Sequence, residues 1–310
     1  MRPEHLPGQL HVSAPPHYAW DRALEPVAQV APGEVFRLVV QDASDGQLDR
    51  ASTPTDVLAL DFTQVNPVTG PVWVDGTQPG DVLVVTVLDL EVDDWGWTAN
   101  IPGFGLLSDD FPDPALRLSA VTGHTVEFLP GLHLPLMPMI GTIGVAPADP
   151  GPHSLVPPHA WGGNMDLRHL TAGSTLYLPV AVEGALLSVG DTHACQGDGE
   201  ICGTGVECSS VVVLRTELIH QRALAFPVVE TDGRSARQGP FLATTGIGPD
   251  LMEAACGAAR GRIDQVVRRT ALDAVDAYLL CSLAGDLTIC EVVDAPNWVV
   301  SMNLALDLLR

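Results

Sequence analysis

The chain has 310 residues, of which 38 are acidic and 15 basic, so its formal net charge is −23 and its pI is near 4.5. With 46% hydrophobic and 17% charged residues, it has enough apolar side chains for a core and is not a disordered acidic polymer. The negative field argues against nucleic acid and anionic membrane as partners and favours a small neutral molecule.

The basic residues limit the reaction mechanisms that this chain can use, because every one of them is Arg and the sequence contains no Lys. Schiff-base chemistry, Walker-type phosphate binding, kinase chemistry and lysine-assisted amide hydrolysis are therefore excluded. The six Cys form no CxxC pair and sit among apolar residues, which predicts reduced thiols. Residues 1–10 show no apolar run typical of a signal peptide, and no apolar stretch is long enough for a membrane span, so we expect a cytoplasmic protein.

Runs of β-branched residues between frequent Gly and Pro predict strands along most of the chain. The predicted strands are 35–40, 82–92, 176–182, 186–189, 206–218, 226–230, 287–293 and 298–302.

Helical patterns occur only late in the sequence. Asp250 begins a segment in which apolar residues recur at helical spacing on one face. That predicted face consists of Met252, Cys256, Ala259, Ile263 and Val266. A second helix is predicted to restart at 270–273 and to end at Gly285.

These elements predict a mainly β (α+β) protein with a β-sandwich-like core and a smaller α+β part that carries the late helical pair. The Pro- and Gly-rich stretch 147–163 is the best candidate boundary. We therefore expect a mostly β part over 1–160 and an α+β part over 161–310, with a single interlocked unit as the alternative.

One segment, 188–207, concentrates polar side chains among glycines. Its polar residues are Asp191, His193, Gln196, Asp198, Glu200 and Glu207. Because alternate residues of a strand share a face, Asp191 and His193 can ligate a common ion. A solvated acidic hairpin loop is the alternative at even odds. Asp166 follows another Gly-rich stretch, where its residue pattern favours a simple turn over a functional role.

The same segment, SVGDTHACQGDGEICGTGVE, resembles the signature of the acetamidase/formamidase family. Further matches come in the family's order along most of the chain. They are 66–71, 74–83, 95–107, 141–147, 162–166, 176–191 and 294–301. Departures at Cys195, Cys202 and Val206 remove no candidate ligand, but they leave the substrate preference open.

The resemblance implies hydrolysis of formamide or acetamide to ammonia and the carboxylate. A divalent ion, with zinc first and iron or manganese as alternatives, polarises the carbonyl and acidifies a water. We expect Asp191 and His193 as ligands, Asp166 as a third, and Glu200 as ligand or general base. Gln196 and Asn164 are expected to hold the substrate amide.

Other residues have weaker patterns. His17 resembles a family histidine, although packing between aromatic residues explains it equally well. Asp42 begins a stretch typical of an Asx turn. Three rings close together predict a pocket wall, with core packing as the alternative. These rings are Trp95, Trp97 and Phe104.

Two competing functions remain at this stage. One is a non-enzymatic β-rich binding or scaffold protein with a structural cation-binding loop. The other is a cysteine hydrolase using Cys195 or Cys202, which is disfavoured because neither has a neighbouring cation pattern to lower its pKa. The family resemblance and the apolar C-terminal tail, Leu304 to Leu309, favour a homo-oligomer. The remaining histidines are expected to be structural or at the surface: His124, His133, His153, His159, His169 and His220.

Overall fold

The structure, a computed structural model, describes residues 10–233 and 239–309. It is mainly β, as predicted. In chain order the strands are β1 (Leu10–Val12), β2 (Ala28–Val30), β3 (Val35–Val40), β4 (Val68–Val74), β5 (Val82–Val92), β6 (Trp95–Asn100), β7 (Ala115–Thr122), β8 (Thr125–Leu129), β9 (Leu132–Pro135), β10 (Met139–Gly144), β11 (Pro158–His159), β12 (Gly162–Asn164), β13 (Thr175–Pro179), β14 (Leu187–His193), β15 (Ser210–Ile219), β16 (Val228–Glu230), β17 (Phe241–Gly248), β18 (Asp286–Glu291) and β19 (Trp298–Ala305). The helices are α1 (Pro54–Val57), α2 (Leu251–Arg269) and α3 (Ala274–Ala284), with 3₁₀ turns at Phe62–Gln64 and Leu306–Leu309.

Two large sheets pack face to face. The first has nine strands in the order β1-β3-β15-β5-β13-β16-β17-β19-β18, and the second has six in the order β11-β12-β10-β14-β4-β2. Alternate residues of both sheets meet in one buried apolar core, which includes Leu38 and Val85 from the first sheet and Ile140 and Val189 from the second. This is the predicted sandwich, because each sheet buries its apolar face against the other.

Strands from both sides of residue 160 alternate within each large sheet. Strand β15 lies between β3 and β5, and β14 lies between β10 and β4. The two parts proposed from the sequence, 1–160 and 161–310, therefore share their sheets, an arrangement that fits the interlocked alternative. Most pairings among the described strands are antiparallel, and β1–β3 and β2–β4 are parallel.

A third sheet, with the strand order β6-β7-β8-β9, lies at the end of the sandwich where β14 ends. Trp97 of β6 pairs with Glu207 through backbone hydrogen bonds in both directions. Glu207 also forms a bridge with His193 at the end of β14. The third sheet is thereby joined to the polar segment, and its aromatic residues lie beside it.

The late helical pair begins and ends as its capping residues predict. Asp250 accepts hydrogen bonds from the backbone N–H groups of Met252 and Glu253, each at 2.9 Å. Asp273 caps α3 in the same way, so this helix starts after Asp273 and not at Thr270, which ends α2. Gly285 closes α3 with a bond from its N–H to the carbonyl of Cys281.

The predicted buried face of α2 was correct at Val266 but wrong in the first turns of the helix. Met252 is 71% exposed and Cys256 is exposed, whereas the buried residues are Ala254, Ala258, Arg262, Gln265 and Val266. Alanines face the sheet because the helix approaches it closely: a Cβ added at Gly246 of β17 would lie 1.9 Å from the carbonyl oxygen of Ala254. Arg262 is tolerated inside because it donates to the carbonyls of Leu242 and Met302.

Several strands carried no strong pattern in the sequence. The strand β14 extends four residues beyond its predicted end, to His193.

In the C-terminal tail, Leu304 and Leu309 are buried within the chain, and Leu308 is the exposed leucine among the described residues there. No described helix is long and apolar enough to cross a membrane. The expectation about a signal peptide concerns residues 1–9, which lie outside the described residues.

Candidate metal and active site

Asp191 and His193 meet at the end of β14, as their spacing predicted. Asp191 Oδ1 lies 3.1 Å from His193 Nε2, and both residues are buried. Regular strand alternation does not produce this contact on its own, because Asp191 has a φ of +50°. The left-handed residue bends the end of the strand and turns its carboxylate toward the imidazole.

Four more carboxylates, from other parts of the chain, reach the same point. Three overlapping groups have ligand atoms within 4.8 Å of one another: Asp166, Asp191 and His193; His193, Glu200 and Glu207; Asp166, Glu200 and Asp294. All six residues are buried. The structure therefore brings together all four predicted ligands, Asp166, Asp191, His193 and Glu200, and adds Glu207 and Asp294.

The two added acids are positioned by contacts that the sequence alone did not indicate. Glu207 Oε2 lies 3.0 Å from His193 Nε2, and its Oε1 accepts the N–H of Gly205 at 2.7 Å. Asp294 follows Glu291, whose Oε1 accepts the Asp294 N–H at 2.5 Å. Asp294 is thus held by a loop after β18, more than a hundred residues from Asp166 in the chain.

Three of the acids have a backbone conformation that is unusual for residues with a Cβ. The φ angles of Asp166, Asp191 and Glu200 are +46°, +50° and +44°. Such conformations cost about 1–3 kcal/mol each and accumulate at functional sites. The surrounding fold therefore holds the carboxylates in place against local backbone preference.

Glycine at position 141 makes room for the carboxylates. A Cβ at Gly141 of β10 would lie 2.7 Å from both Asp166 Oδ1 and Asp191 Oδ2. Such a contact is too short for any side chain. The absence of a side chain at this position lets Asp166 and Asp191 approach one another across the strand.

Gln196 orients the histidine. Its Oε1 lies 2.7 Å from His193 Nδ1, and its amide nitrogen donates to the carbonyl oxygen of Asp166 at 3.1 Å. The Gln196 oxygen accepts the proton on Nδ1, so Nε2, which faces Asp191 and Glu207, is the nitrogen that would be available to a metal ion. Both ends of the Gln196 amide are engaged, and the residue lines the wider cavity described below instead of the small cavity over the cluster.

Asn164 lies on β12 with both ends of its amide bonded. Its nitrogen donates to Asp294 Oδ2 at 2.7 Å, and its oxygen accepts from Thr142 Oγ1 at 2.6 Å. The nitrogen has a second proton, and the residue lines the cavity described below. It can therefore support Asp294 and still face a bound molecule.

The crowding of acids shifts their proton affinities upward. Burial, followed by the charge of Asp191, raises the pKa of Asp166 well above its usual value. Burial and then Asp166 do the same for Glu200. For Glu207, burial raises the pKa to about 7, partly opposed by His193.

At the end of β14, the pKa values of His193 and Asp191 are shifted in the direction opposite to the effect of burial. Burial alone would lower the pKa of His193, but Glu207 and Asp191 outweigh it and raise the pKa well above the ordinary value. Burial would likewise raise the pKa of Asp191, but the charge of His193 and hydrogen bonds lower it. Each of these shifts reflects one histidine surrounded by carboxylates.

Several oxygens of the cluster lack a donor. Both carboxylate oxygens of Asp166 are buried and accept no hydrogen bond from the described residues, and the only close polar contact described for Glu207 Oε2 is His193 Nε2. Buried, unpaired carboxylate oxygens are costly unless a cation or a proton neutralises them. A set of carboxylates with one imidazole suits zinc, iron or manganese, so the donor atoms fit a divalent metal ion.

The cluster forms the floor of a small cavity of about 180 Å³. Trp97 and Phe104 line it, which agrees with the predicted pocket wall, whereas Trp95 lies beneath the guanidinium of Arg50. A wider cavity of about 680 Å³ lies on the other side of the 197–204 loop and includes Cys195, Gln196 and Cys202. Glu200 and Thr204 line both cavities.

The remaining candidates from the sequence lie outside the cluster. His17 contacts Ser188 Oγ and the carbonyl of Ala19, each at 2.9 Å, which is a structural arrangement. Asp42 forms the expected Asx turn, accepting from Ser44 N at 2.9 Å. Burial raises the pKa of the Cys195 thiol, which disfavours a thiolate nucleophile.

The six other histidines are absent from the three described groups of possible ligands. His220 lies 3.0 Å from Asp81, and His159 stacks on Trp161. These contacts of His220 and His159, and the exposure of His124 and His133, agree with the structural or surface positions that we expected.

Comparisons with known proteins extend over the whole fold. The profile of the Acetamidase/Formamidase family matches residues 9–155 and 151–310. An acetamidase of Mycolicibacterium smegmatis is 30% identical over 284 residues, covering 70% of this chain and 69% of that protein. A formamidase of Methylophilus methylotrophus is 31% identical over 260 residues, covering 66% and 64%. The crystal structure of an acetamidase from Bacillus halodurans matches with a TM-score of 0.89 at 34% identity, covering 96% of this chain and 98% of the other.

Proposed function

The chain belongs to the acetamidase/formamidase family, and from this premise we propose that it hydrolyses a short neutral aliphatic amide in a metal-dependent reaction. Formamide and acetamide are the first substrates to test, because the similar proteins named above are a formamidase and acetamidases. Membership of this family makes the chain an amidohydrolase, which opposes the non-enzymatic scaffold alternative.

The observation that supports metal dependence is the buried cluster with its unpaired oxygens. Five carboxylates and one imidazole lie in three overlapping groups, and neither carboxylate oxygen of Asp166 accepts a hydrogen bond. We propose Asp191, His193 and Asp166 as ligands, joined by Glu207. The mixed oxygen and nitrogen set favours zinc, with iron and manganese as alternatives.

The chemistry follows from the resistance of amides to water. A divalent ion, if held by these residues, would supply a Lewis acid for the carbonyl and would lower the pKa of a water to about 7. Glu200 then has the position of a general base, since it lines the cavity and is buried beside Asp166. Its raised pKa suits a group that takes a proton from water and returns it to the departing ammonia.

The amide is held by the residues between the cluster and the cavity. Asn164 lines the cavity with one N–H beyond its bond to Asp294, and we propose that it contacts the substrate. Gln196 is assigned to the orientation of His193, because both ends of its side chain are engaged there. The absence of Lys and the surrounding acids favour a neutral substrate over an anionic one.

The experiment combines metal content, measured by elemental mass spectrometry, with ammonia release from formamide and acetamide. His193→Ala and Asp191→Ala should each lose most of the metal and several orders of magnitude in rate while keeping the β fold. His124→Ala is the matched control, since His124 is exposed and outside the cluster. A folded His193→Ala protein with full metal and full activity would refute the proposal.

Glu200→Gln separates the two roles of Glu200. If Glu200 is the base, the variant keeps its metal and loses at least about a hundredfold in rate. If Glu200 is a ligand, metal and rate fall together. Gln196→Ala should keep most of its metal and lose rate more modestly, because it removes only the partner of His193 Nδ1.

We also propose a homo-oligomer. The support lies on α3 and β18, where apolar side chains face outward: Val275 66%, Tyr278 61%, Leu283 87% and Leu287 57% exposed. Contiguous exposed apolar surface of this kind is typical of an interface. Light scattering during gel filtration tests this: a monomer at micromolar concentration would contradict it.

A further inference from the structure

The cavity above the carboxylate cluster has two distinct sides. Its floor is polar and includes Asn164, Asp191 and Glu200. Its walls are apolar, with Leu60, Phe62, Trp97, Ile101, Phe104 and Val156 among the lining residues. A neutral amide can therefore place its carbonyl and nitrogen against the carboxylate cluster and its acyl group against the apolar residues.

The cavity is larger than formamide or acetamide requires. Its volume is about 180 Å³, whereas an engineered apolar protein cavity of about 150 Å³ holds benzene, a ring of six carbons. By this measure the space suits a molecule with about six or seven non-hydrogen atoms. Formamide has three and acetamide has four, so each would leave apolar wall uncovered.

Hydrogen bonds position the part of the cavity wall that contains Trp97. The indole of Trp97 is 3% exposed, and its N–H donates to Asp42 Oδ1 at 3.0 Å. The same carboxylate oxygen accepts from the backbone N–H of Ser44 at 2.9 Å. Ala43 lies between these two hydrogen-bonded residues and also lines the cavity, so this part of the wall is positioned by contacts that do not depend on a ligand.

We infer that this cavity selects amides with a branched acyl group of four or five carbons, such as 2-methylpropanamide, over formamide and acetamide. The inference rests on the proposed amidohydrolase function and names its substrate class. 2-Methylpropanamide has six non-hydrogen atoms, and its two methyl groups reach the apolar walls when the amide lies on the polar floor. A single methylene in an apolar pocket changes specificity by about 10- to 200-fold.

The first measurement is a comparison of kcat/KM along a series of amides on the purified, metal-loaded protein. The series is formamide, acetamide, 2-methylpropanamide and 3-methylbutanamide. We expect 2-methylpropanamide to exceed formamide by at least tenfold. A value for formamide equal to or above that for both branched amides would overturn the inference and leave the amidohydrolase proposal intact.

A second measurement does not depend on turnover. 3-Methyl-2-butanone has the shape of 2-methylpropanamide but carries a methyl group in place of the amine, and acetone stands in the same relation to acetamide. Calorimetric titration should show the branched ketone binding at least tenfold more tightly. If no amide is hydrolysed, the proposed function fails, and this comparison alone then decides the inference: equal binding of the two ketones overturns it.

Variants test whether this cavity makes the selection. Ala43→Leu places three more carbons into the wall, and should lower the ratio of 2-methylpropanamide to formamide kcat/KM at least tenfold. Ala59→Leu, the same change at an exposed residue outside the cavity, should leave the ratio as in the wild type. An unchanged ratio in a folded Ala43→Leu protein would contradict the assignment.

Phe62→Ala covers the case in which Ala43→Leu does not fold. Phe62 is 56% exposed and lines the cavity, so its truncation widens the opening with little effect on the core. The variant should raise the ratio of benzamide to 2-methylpropanamide kcat/KM at least tenfold. The wild-type ratio in this variant would show that the walls do not set substrate size.

Discussion

The pH dependence of the free energy of unfolding measures how much stability the fold loses by burying Glu207 among other carboxylates. Burial raises the pKa of this side chain from 4.5 to about 7. An acid whose pKa is higher in the folded than in the unfolded protein costs no stability below the unfolded pKa. Its cost grows between pH 4.5 and 7, because the unfolded chain releases the proton first, and is constant above pH 7.

The size of the effect follows from the shift. About 2.5 pKa units at 1.36 kcal/mol each give roughly 3 kcal/mol, of which about 2–3 kcal/mol develops between pH 5 and pH 8. The raised pKa of His193 acts in the same direction, since its contribution to stability is lost as pH rises through the folded value. The metal-free protein should therefore lose stability as the solution becomes alkaline.

Glu207→Gln isolates the contribution of this one group. The amide keeps an acceptor for the N–H of Gly205 but cannot ionise, so urea unfolding of the metal-free variant should lose about 2–3 kcal/mol less than the wild type between pH 5 and pH 8. The exposed Glu183→Gln variant is the control and should follow the wild type. Identical pH slopes for the Glu207→Gln variant and wild type would refute the reasoning, as would a wild type that gains stability with pH.

Three further predictions concern the metal, the thiols and the substrate charge. Gly141→Ala should lower metal content and ammonia release by at least tenfold, because its Cβ would lie 2.7 Å from two carboxylate oxygens. Gly248→Ala is the control and should behave as wild type, since its added Cβ meets nothing within 4 Å. Full metal content in the Gly141→Ala variant would contradict the prediction. Cys195→Ala and Cys202→Ala should each retain most of the rate in the ammonia assay, whereas a loss above about a thousandfold, roughly 4 kcal/mol of barrier, would favour a thiol mechanism. Malonamate, an anionic amide, should be hydrolysed with a lower kcat/KM than acetamide, and equal turnover would argue against the acidic field as a selector.

The local sequence pattern was sufficient to predict those elements whose bounds are set by residues close together in the chain. The capping residues Asp250 and Gly285 predicted where the helical pair begins and ends, since a cap acts on the backbone within one turn. The strands 35–40 and 82–92 were predicted to the residue. The buried face of α2 was not, because the close approach to Gly246 selects alanine over the larger apolar residues that periodicity favours.

The candidate site shows the same division. Asp191 and His193 were recognised because they are two residues apart, yet their contact depends on a left-handed residue that alternation does not foresee. Glu207 was visible in the polar segment but received no role, since its distance from His193 is set by a bridge between chain segments. Asp294 lies in a matched family segment, and its place beside Asp166 follows only from the sheet topology.

The role of Gln196 illustrates a limit of residue type as a guide. An amide side chain in a polar loop suits a substrate contact as well as a structural one, and composition does not separate them. Two distances do: 2.7 Å to His193 Nδ1 and 3.1 Å to the carbonyl of Asp166. The residue spans two candidate ligands, so it acts on the geometry of the site rather than at its mouth.

The arrangement as a whole explains why so much acid can be buried at one point. Five carboxylates around one imidazole repel one another, and burial strengthens that repulsion. The fold nevertheless supplies them from the segment after β12, the end of β14, the loop that contains Glu200 and Glu207, and the loop after β18, with Gly141 leaving space between Asp166 and Asp191. A chain gains nothing in stability from such a cluster alone, so the cost is compensated only by a cation or by protons. Since protons leave as pH rises, a bound cation would be needed to offset the charge of this cluster at neutral pH.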